Sequence, residues 1–163
     1  MTPHPRADRY LALFARFGDA YDLDPRLLRA QVIAESDGNP LAMSHVGARG
    51  LAQFMPRTWL EWWDGIAGIQ GPPQTAPMDP EAAIRAQAAY LRNLHTYFAP
   101  RVAIQSDLLP VVLAAYNWGM GYVGRVLRRN SGMLPSGQLP AETRAYVARI
   151  LKRLGEDTPQ QVT

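Results

Sequence analysis

The chain has 163 residues, enough to bury one sizeable core, and is read as a single domain over 1–163. Apolar residues make up 47% and charged residues 19%, a globular balance that excludes a disordered chain. Net charge is +3, almost all of the base is arginine, and cysteine is absent. An anionic partner is therefore favoured (wall polymer, membrane surface or nucleic acid), while disulfides, thiolate metal sites and a cysteine nucleophile are excluded. His4, His45 and His95 show no zinc-ligand spacing, so neither metal nor cofactor is expected.

Tyr10, Leu13, Phe14 and Phe17 recur at helical spacing and predict an amphipathic helix over 7–21. Arg16 and Asp19 interrupt its apolar run, and no small-residue cleavage site comes after it, so it does not read as a signal peptide. No stretch reaches the length of apolar residues that spans a bilayer. The expectation is a chain that acts where it is released, or one that has lost an export segment.

Asp24 and Pro25 open a second helix as N-cap and first residue, and Gly38, Asn39 and Pro40 close it. Leu28, Val32 and Glu35 fall on one face, so an apolar stripe ends in a carboxylate. Glu35 also lies in the last turn, where the helix dipole disfavours negative charge. Burial and dipole together are expected to raise its pKa, which suits a general acid. A glutamate at a helix end is ordinarily a solvated surface residue; here its neighbours in the chain shift the balance toward a functional role.

Residues 37–52 read as an irregular loop with at most a short hairpin. Pro56 opens a short helix with Trp59, Trp62 and Trp63, read first as core and second as sugar platforms. Residues 65–78 form a loop of functional length. Asp79 and Pro80 restart a long core helix with Ile84, Ala88, Leu91 and His95 along one face, His95 being packed or exposed near its end rather than catalytic. Asp107 is expected to cap an almost wholly apolar helix that includes Pro110 in its first turn. Gly119 and Gly121 break it, and Tyr122–Arg129 is a basic amphipathic helix. After a loop over Gly132–Gln138, Pro140 opens the last helix, with Tyr146, Ile150 and Leu154 down one side, and the tail is expected to fray from Gly155. The fold class is mainly α.

Four segments belong together: Glu35-Ser36 at a helix end, GARGLAQFMP at 47–56, AYNWG at 115–119 and ETRAYV at 142–147. In that order and spacing, with DPEAAIRAQAAYL between them, the chain resembles the lysozyme-like lytic transglycosylases of the soluble type (SLT domain). The resemblance covers about residues 23–154. It implies a helical lysozyme-like domain with a long groove. Glu35 matches the family's single catalytic acid/base, and Ser36 the serine that helps position the sugar's N-acetyl group. Gln53 matches the glutamine lining the groove, Tyr116 and Asn117 the AYN pair, and Tyr146 the late tyrosine, both tyrosines lying close to the acid in the family. The implied reaction cleaves the β-1,4 bond between N-acetylmuramic acid and N-acetylglucosamine in peptidoglycan and leaves a 1,6-anhydro end. Two positions depart from the pattern: Ala52 stands where the family usually has methionine, and Trp118 is bulkier than the small residue expected after AYN.

A glycoside hydrolase ordinarily needs two carboxylates. Asp37 is read as a turn residue, and Glu61 and Asp64 as solvated, so no firm second carboxylate is found. One acid suffices if the substrate supplies the nucleophile. Three rivals stand beside this reading: a goose-type-like muramidase that admits water, a non-catalytic wall-binding module, and nucleic-acid binding through Arg125, Arg128, Arg129, Arg144, Arg149, Lys152 and Arg153. No base-reading motif accompanies those arginines, so nucleic acid is not expected and the basic face is assigned to anionic wall or membrane surface. Peptidoglycan glycan strands are the expected partner, and a monomer acting in the periplasm or cell wall is the expected form. Phage endolysin, virion lysin, trimmed bacterial enzyme and secretion-system enzyme stay open as origins.

Overall fold

The computed structural model describes residues 1–63 and 76–157, with the side chains of 61–63 excepted. Among these residues eight α-helices form: α1 Pro5–Asp8, α2 Leu11–Tyr21, α3 Pro25–Ser36, α4 Pro56–Trp63, α5 Pro80–Phe98, α6 Leu108–Trp118, α7 Met120–Arg129 and α8 Ala141–Glu156. β structure among them is limited to two isolated antiparallel bridges, Met43 with Arg49 and Arg49 with Phe54. No described helix is long and apolar enough to cross a membrane. The chain falls into two compact units, Met1–Tyr90 with Leu154–Thr163, and Leu91–Arg153.

The first unit begins with a correction. The helix expected over 7–21 is two helices, because the chain breaks at Arg9 and Tyr10. Tyr10 sits at φ −106°, ψ 12°, outside the helical basin. The break leaves Asp8 free to anchor: its carboxylate accepts from the His4 amide at 2.8 Å and from Arg29 Nε at 2.8 Å. Phe14 and Phe17 of α2 are buried. A Cβ on Gly18 would lie 2.8 Å from Pro25 Cγ and 2.9 Å from the Leu23 carbonyl, so only glycine lets α2 pack against the start of α3.

Asp24 caps α3 as expected, its Oδ1 accepting from the Arg26 amide at 2.8 Å, with Pro25 in the first position. Asp37 closes the helix in the left-handed conformation at φ 54°, just ahead of the Gly38 stop. Leu28 and Val32 are fully buried. So is Arg29, at 1% exposure, which apolar periodicity does not reveal. Its guanidinium donates to Asp8, to Asp157 Oδ2 at 3.1 Å and to the Thr2 carbonyl at 2.7 Å, while the Thr2 amide donates to Asp157 Oδ1 at 2.8 Å. The expected fraying from Gly155 is therefore wrong for 155–157: α8 continues to Glu156, and Asp157 is buried as an anion for Arg29, while 158–163 lie outside the described residues. Gln87 of α5 ties itself to α3 by donating to the Leu28 carbonyl at 3.1 Å and to Gln31 Oε1 at 2.7 Å. Asp79 caps α5 through the Ala82 amide at 2.8 Å. Ile84 and Ala88 are buried as expected, and Trp59 of α4 is core, edge-on to Phe54 at 5.4 Å.

In the second unit α6 is the apolar helix expected, with Val111 to Ala115 all buried. Asp107 does not cap it through its side chain, because a 3-10 turn over Gln105–Asp107 feeds the helix and places Asp107 in a helical conformation. Only Gly119 breaks the chain, at φ 108°; Gly121 lies inside α7, which starts at Met120 rather than Tyr122. Val123, Val126 and Leu127 of α7 and Tyr146, Val147 and Ile150 of α8 complete the core of this unit, which also includes Leu91, Leu94 and Phe98 of α5.

Removing Asp157 leaves a buried guanidinium short of an anion. Asp157→Ala is expected to cost about 3–5 kcal/mol in urea unfolding, as breaking buried ion pairs does. Acid sensitivity is expected to track Asp8. Burial raises the pKa of its carboxyl, but the hydrogen bonds from Arg29 and the His4 amide outweigh this and hold it below the ordinary value. Its stabilisation is then complete above about pH 4 and is lost as pH falls through the folded value. Thermal unfolding of Asp8→Asn should show a flatter decline of stability below about pH 4 than the parent.

Candidate active site

Glu35 is the penultimate residue of α3 and is half-buried at the end of the stripe begun by Leu28 and Val32. The seam read from the sequence thus exists, and its last member meets both core and solvent. The Ser36 hydroxyl lies 3.1 Å from the Val32 carbonyl and 2.9 Å from the Leu51 carbonyl. A hydroxyl has one proton to donate, so the two carbonyls share it and an oxygen lone pair is left to accept. Ser36 therefore pins the segment at 47–56 to the residue beside Glu35.

That segment is a tight, irregular loop. Arg49 bridges to both Met43 and Phe54, with its amide donating to the Phe54 carbonyl at 3.0 Å. Gly50, at φ 74°, is pressed so closely on the Pro77 carbonyl that a Cβ would overlap it. Gln53 is half-buried and takes a left-handed conformation at φ 49°. Its Nε2 donates to Gly50 O at 2.9 Å and Ala42 O at 3.2 Å, which uses both amide protons and leaves the carbonyl oxygen to serve a ligand. Ala52, at the position where methionine is usual, is fully buried, so it has no surface to present to a sugar.

The second unit carries the other predicted residues. Tyr116 is half-buried near the end of α6, Asn117 is exposed beside it, and Tyr146 is buried on α8. Sequence reasoning passed over Thr143, which is buried and donates from Oγ1 to Asn117 Oδ1 at 2.8 Å. This bond ties α6 to α8 next to both tyrosines. Its signal was present: Thr143 and Tyr146 are three apart on one helix, hence on one face. The six predicted residues thus form two local groups, Glu35, Ser36 and Gln53 in the first unit and Tyr116, Asn117 and Tyr146 in the second.

Asp37 is no second acid. It accepts from His4 Nε2 at 3.0 Å and Arg6 at 2.8 Å, and the His4 hydrogen bond, reinforced by the Arg6 charge, holds its pKa below the usual carboxylate value. It is a fixed anion at the helix end. Asp64 and the side chains of Glu61, Trp62 and Trp63 lie outside the described residues. His95 is half-buried within α5. Among the described residues no group of three or more His, Cys, Asp or Glu side chains could hold a metal ion.

The profile of the family described as Transglycosylase SLT domain matches residues 12–135. The chain belongs to the transglycosylase SLT domain family. It is 31% identical over 162 residues to the membrane-bound lytic murein transglycosylase C of Sodalis glossinidius (strain morsitans), covering 89% of this chain and 45% of that protein. To the protein of the same name from Edwardsiella ictaluri (strain 93-146) it is 32% identical over 128 residues, covering 78% and 36%. Among solved structures it is similar to an inactive glutamate-to-glutamine mutant of lytic transglycosylase Slt from Pseudomonas aeruginosa, with a TM-score of 0.70 and 28% identity, over 92% of this chain and 24% of that one. It is also similar to the 70-kDa soluble lytic transglycosylase in complex with bulgecin A, with a TM-score of 0.72 and 30% identity, over 88% and 23%. The SLT chain thus spans less than half the length of these relatives.

The geometry of the SLT domain makes two positions sensitive for different reasons. Gly50→Ala adds a Cβ that overlaps a backbone carbonyl at a positive φ; a loss of at least about 3 kcal/mol is expected in chemical denaturation. Thr143→Val keeps the shape and removes only the bond to Asn117, so a loss of about 1 kcal/mol is expected.

Proposed function

We propose that this SLT domain is a peptidoglycan lytic transglycosylase with Glu35 as its one acid and base. The observation that carries the reading is the placement of Glu35: a half-buried carboxyl in the last turn of α3, beside a serine locked to the 47–56 loop. In that position the helix dipole disfavours the charged form, which suits a group that must donate a proton. The names of the relatives and the inactivity of a glutamate-to-glutamine mutant in the Pseudomonas structure support it.

Glu35 gives its proton to the glycosidic oxygen between N-acetylmuramic acid and N-acetylglucosamine as the C1–O bond breaks. The muramoyl N-acetyl carbonyl stabilises the developing positive charge at C1. Glu35, now a carboxylate, takes the proton of the C6 hydroxyl, and O6 bonds to C1 to close the 1,6-anhydro ring. No water is consumed and Glu35 ends protonated. Ser36 Oγ, with a lone pair to spare, accepts from the acetamido N–H. Gln53 Oε1 accepts from sugar hydroxyls in the groove. Tyr116, Asn117 and Tyr146 supply hydrogen bonds that hold the sugar. The site of action is the cell wall, as a monomer, and the exposed arginines of α7 and α8 draw the domain to anionic wall or membrane polymer.

Purified domain and Glu35→Gln are compared on isolated peptidoglycan, with products identified by mass spectrometry and folding checked by circular dichroism. The wild type is expected to release anhydro-ended fragments, lighter by one water than reducing-ended ones, and Glu35→Gln to be at least about 100-fold slower. Reducing ends would assign the domain to the hydrolysing muramidases instead. Equal wall clearing by the two proteins would remove Glu35 from the chemistry.

A further inference from the structure

Trp118, Tyr122 and Arg125 have no part in the chemistry above, yet they form a stacked, exposed feature of the second unit. Gly119 turns the chain at φ 108° between α6 and α7. The turn lays Tyr122 against Trp118, with ring centroids 5.2 Å apart and planes within 16° of parallel. One helical turn on, the Arg125 guanidinium covers Tyr122, 4.6 Å from the ring centroid. The three make a ladder of indole, phenol and guanidinium. Trp118 is half-buried at its base, Tyr122 is 52% exposed and Arg125 is exposed. Among the described residues no carboxylate lies within ion-pair distance of Arg125. A cation held over a ring and lacking an anion is a pre-ordered fork for a carboxylate.

We propose that this ladder is a further carbohydrate contact, specific for a glycan residue whose peptide substituent bears a carboxylate. Tyr122 has Trp118 on one side and Arg125 over its ring, so it does not offer the open face on which a nucleobase stacks. What remains is the phenol edge and hydroxyl, the indole and the guanidinium fork. Those groups suit a hydroxyl-rich ring with an acidic substituent: hydroxyls on the phenol and indole N–H, carboxylate on Arg125. Asn117, one residue before Trp118, has its Oδ1 bonded to Thr143, which leaves its amide N–H groups to continue the polar edge. The positive charge of Arg128 and Arg129, also exposed on α7, reinforces selection for an acidic ligand. The ligand class rests on the proposed function, since peptidoglycan strands carry carboxylates on their peptide stems.

The test uses Glu35→Gln as a non-cleaving parent and two ligands of equal glycan length, a peptide-bearing peptidoglycan tetrasaccharide and neutral chitotetraose. Calorimetric titration follows the parent, parent with Arg125→Gln and parent with Tyr122→Ala. Both side chains are exposed, so folding is expected to be intact by circular dichroism. Arg125→Gln is expected to weaken the carboxylated ligand about 10-fold and leave chitotetraose unchanged, and Tyr122→Ala to weaken both about 5-fold. In the cleaving enzyme the same substitutions should raise KM and leave kcat within about twofold, the mark of uniform binding. Equal loss for both ligands on Arg125→Gln overturns the carboxylate assignment. Parental binding that both substitutions leave intact overturns this inference alone, and a parent that binds neither ligand overturns the proposed function with it.

Discussion

Arg29 is almost wholly removed from water, and a guanidinium cannot lose its proton to escape that environment. It has to be surrounded by oxygens. Asp8, Asp157 and the Thr2 carbonyl provide them, and each comes from a different part of the chain. The demand of one side chain therefore dictates three things: that α1 stop at Asp8, that the amino-terminal residues lie against α3, and that the chain beyond α8 return to the first unit. Helix α3 is the element so fixed, and it is also the element that carries Glu35 further along. Buried charge is weak evidence of net stability, but it is a strong specifier of register, since any slip of α3 would strand the cation.

The far end of α3 is fixed by a different kind of contact. Ser36 holds the Leu51 carbonyl, Gly50 admits the Pro77 carbonyl where any Cβ would overlap, and Gln53 uses both amide protons within its own loop. These are short-range polar bonds in a segment with almost no regular structure. They hold it in conformations that side chains rarely adopt, with Gly50 and Gln53 both at positive φ. Strain of this sort persists only where the surroundings over-determine it, and it gathers at sites that act on ligands. The loop beside Glu35 carries two such positions, Gly50 and Gln53.

How far the sequence could be read depended on the range of the interactions involved. The start of α3 was legible because Asp24 and Pro25 act on nearby amides, and Asp79 and Pro80 repeat the device. The burial of α6 was legible because its composition leaves no polar face. Glu35 stood out from the helical spacing of Leu28 and Val32 as well as from its motif, whereas Ser36, Gln53, Tyr116, Asn117 and Tyr146 were singled out as motif residues alone. The break between α1 and α2 was not, since it depends on Arg29, 21 positions beyond Asp8. Nor was the burial of Asp157, whose partner is 128 positions away. Asp107 misled for the opposite reason: the local cap signal was present, but a 3-10 turn ahead of it had already placed the residue in a helical conformation. Local chemistry predicts helix ends well until a distant partner or a preceding turn overrides it.

The two carboxylates at the end of α3 show how one helix terminus separates two roles. Asp37 is exposed, faces His4 and Arg6, and is held as an anion, so its charge is spent on fixing the chain reversal. Glu35, two residues earlier, turns instead toward the seam of Leu28 and Val32 and is half-buried. Asp37 lies just past the helix in a left-handed conformation while Glu35 is still within it, so the same terminus can hold one carboxylate charged and shelter another. The terminus is built from local geometry: one left-handed residue, one serine bond and one glycine whose missing side chain makes room for a neighbouring carbonyl.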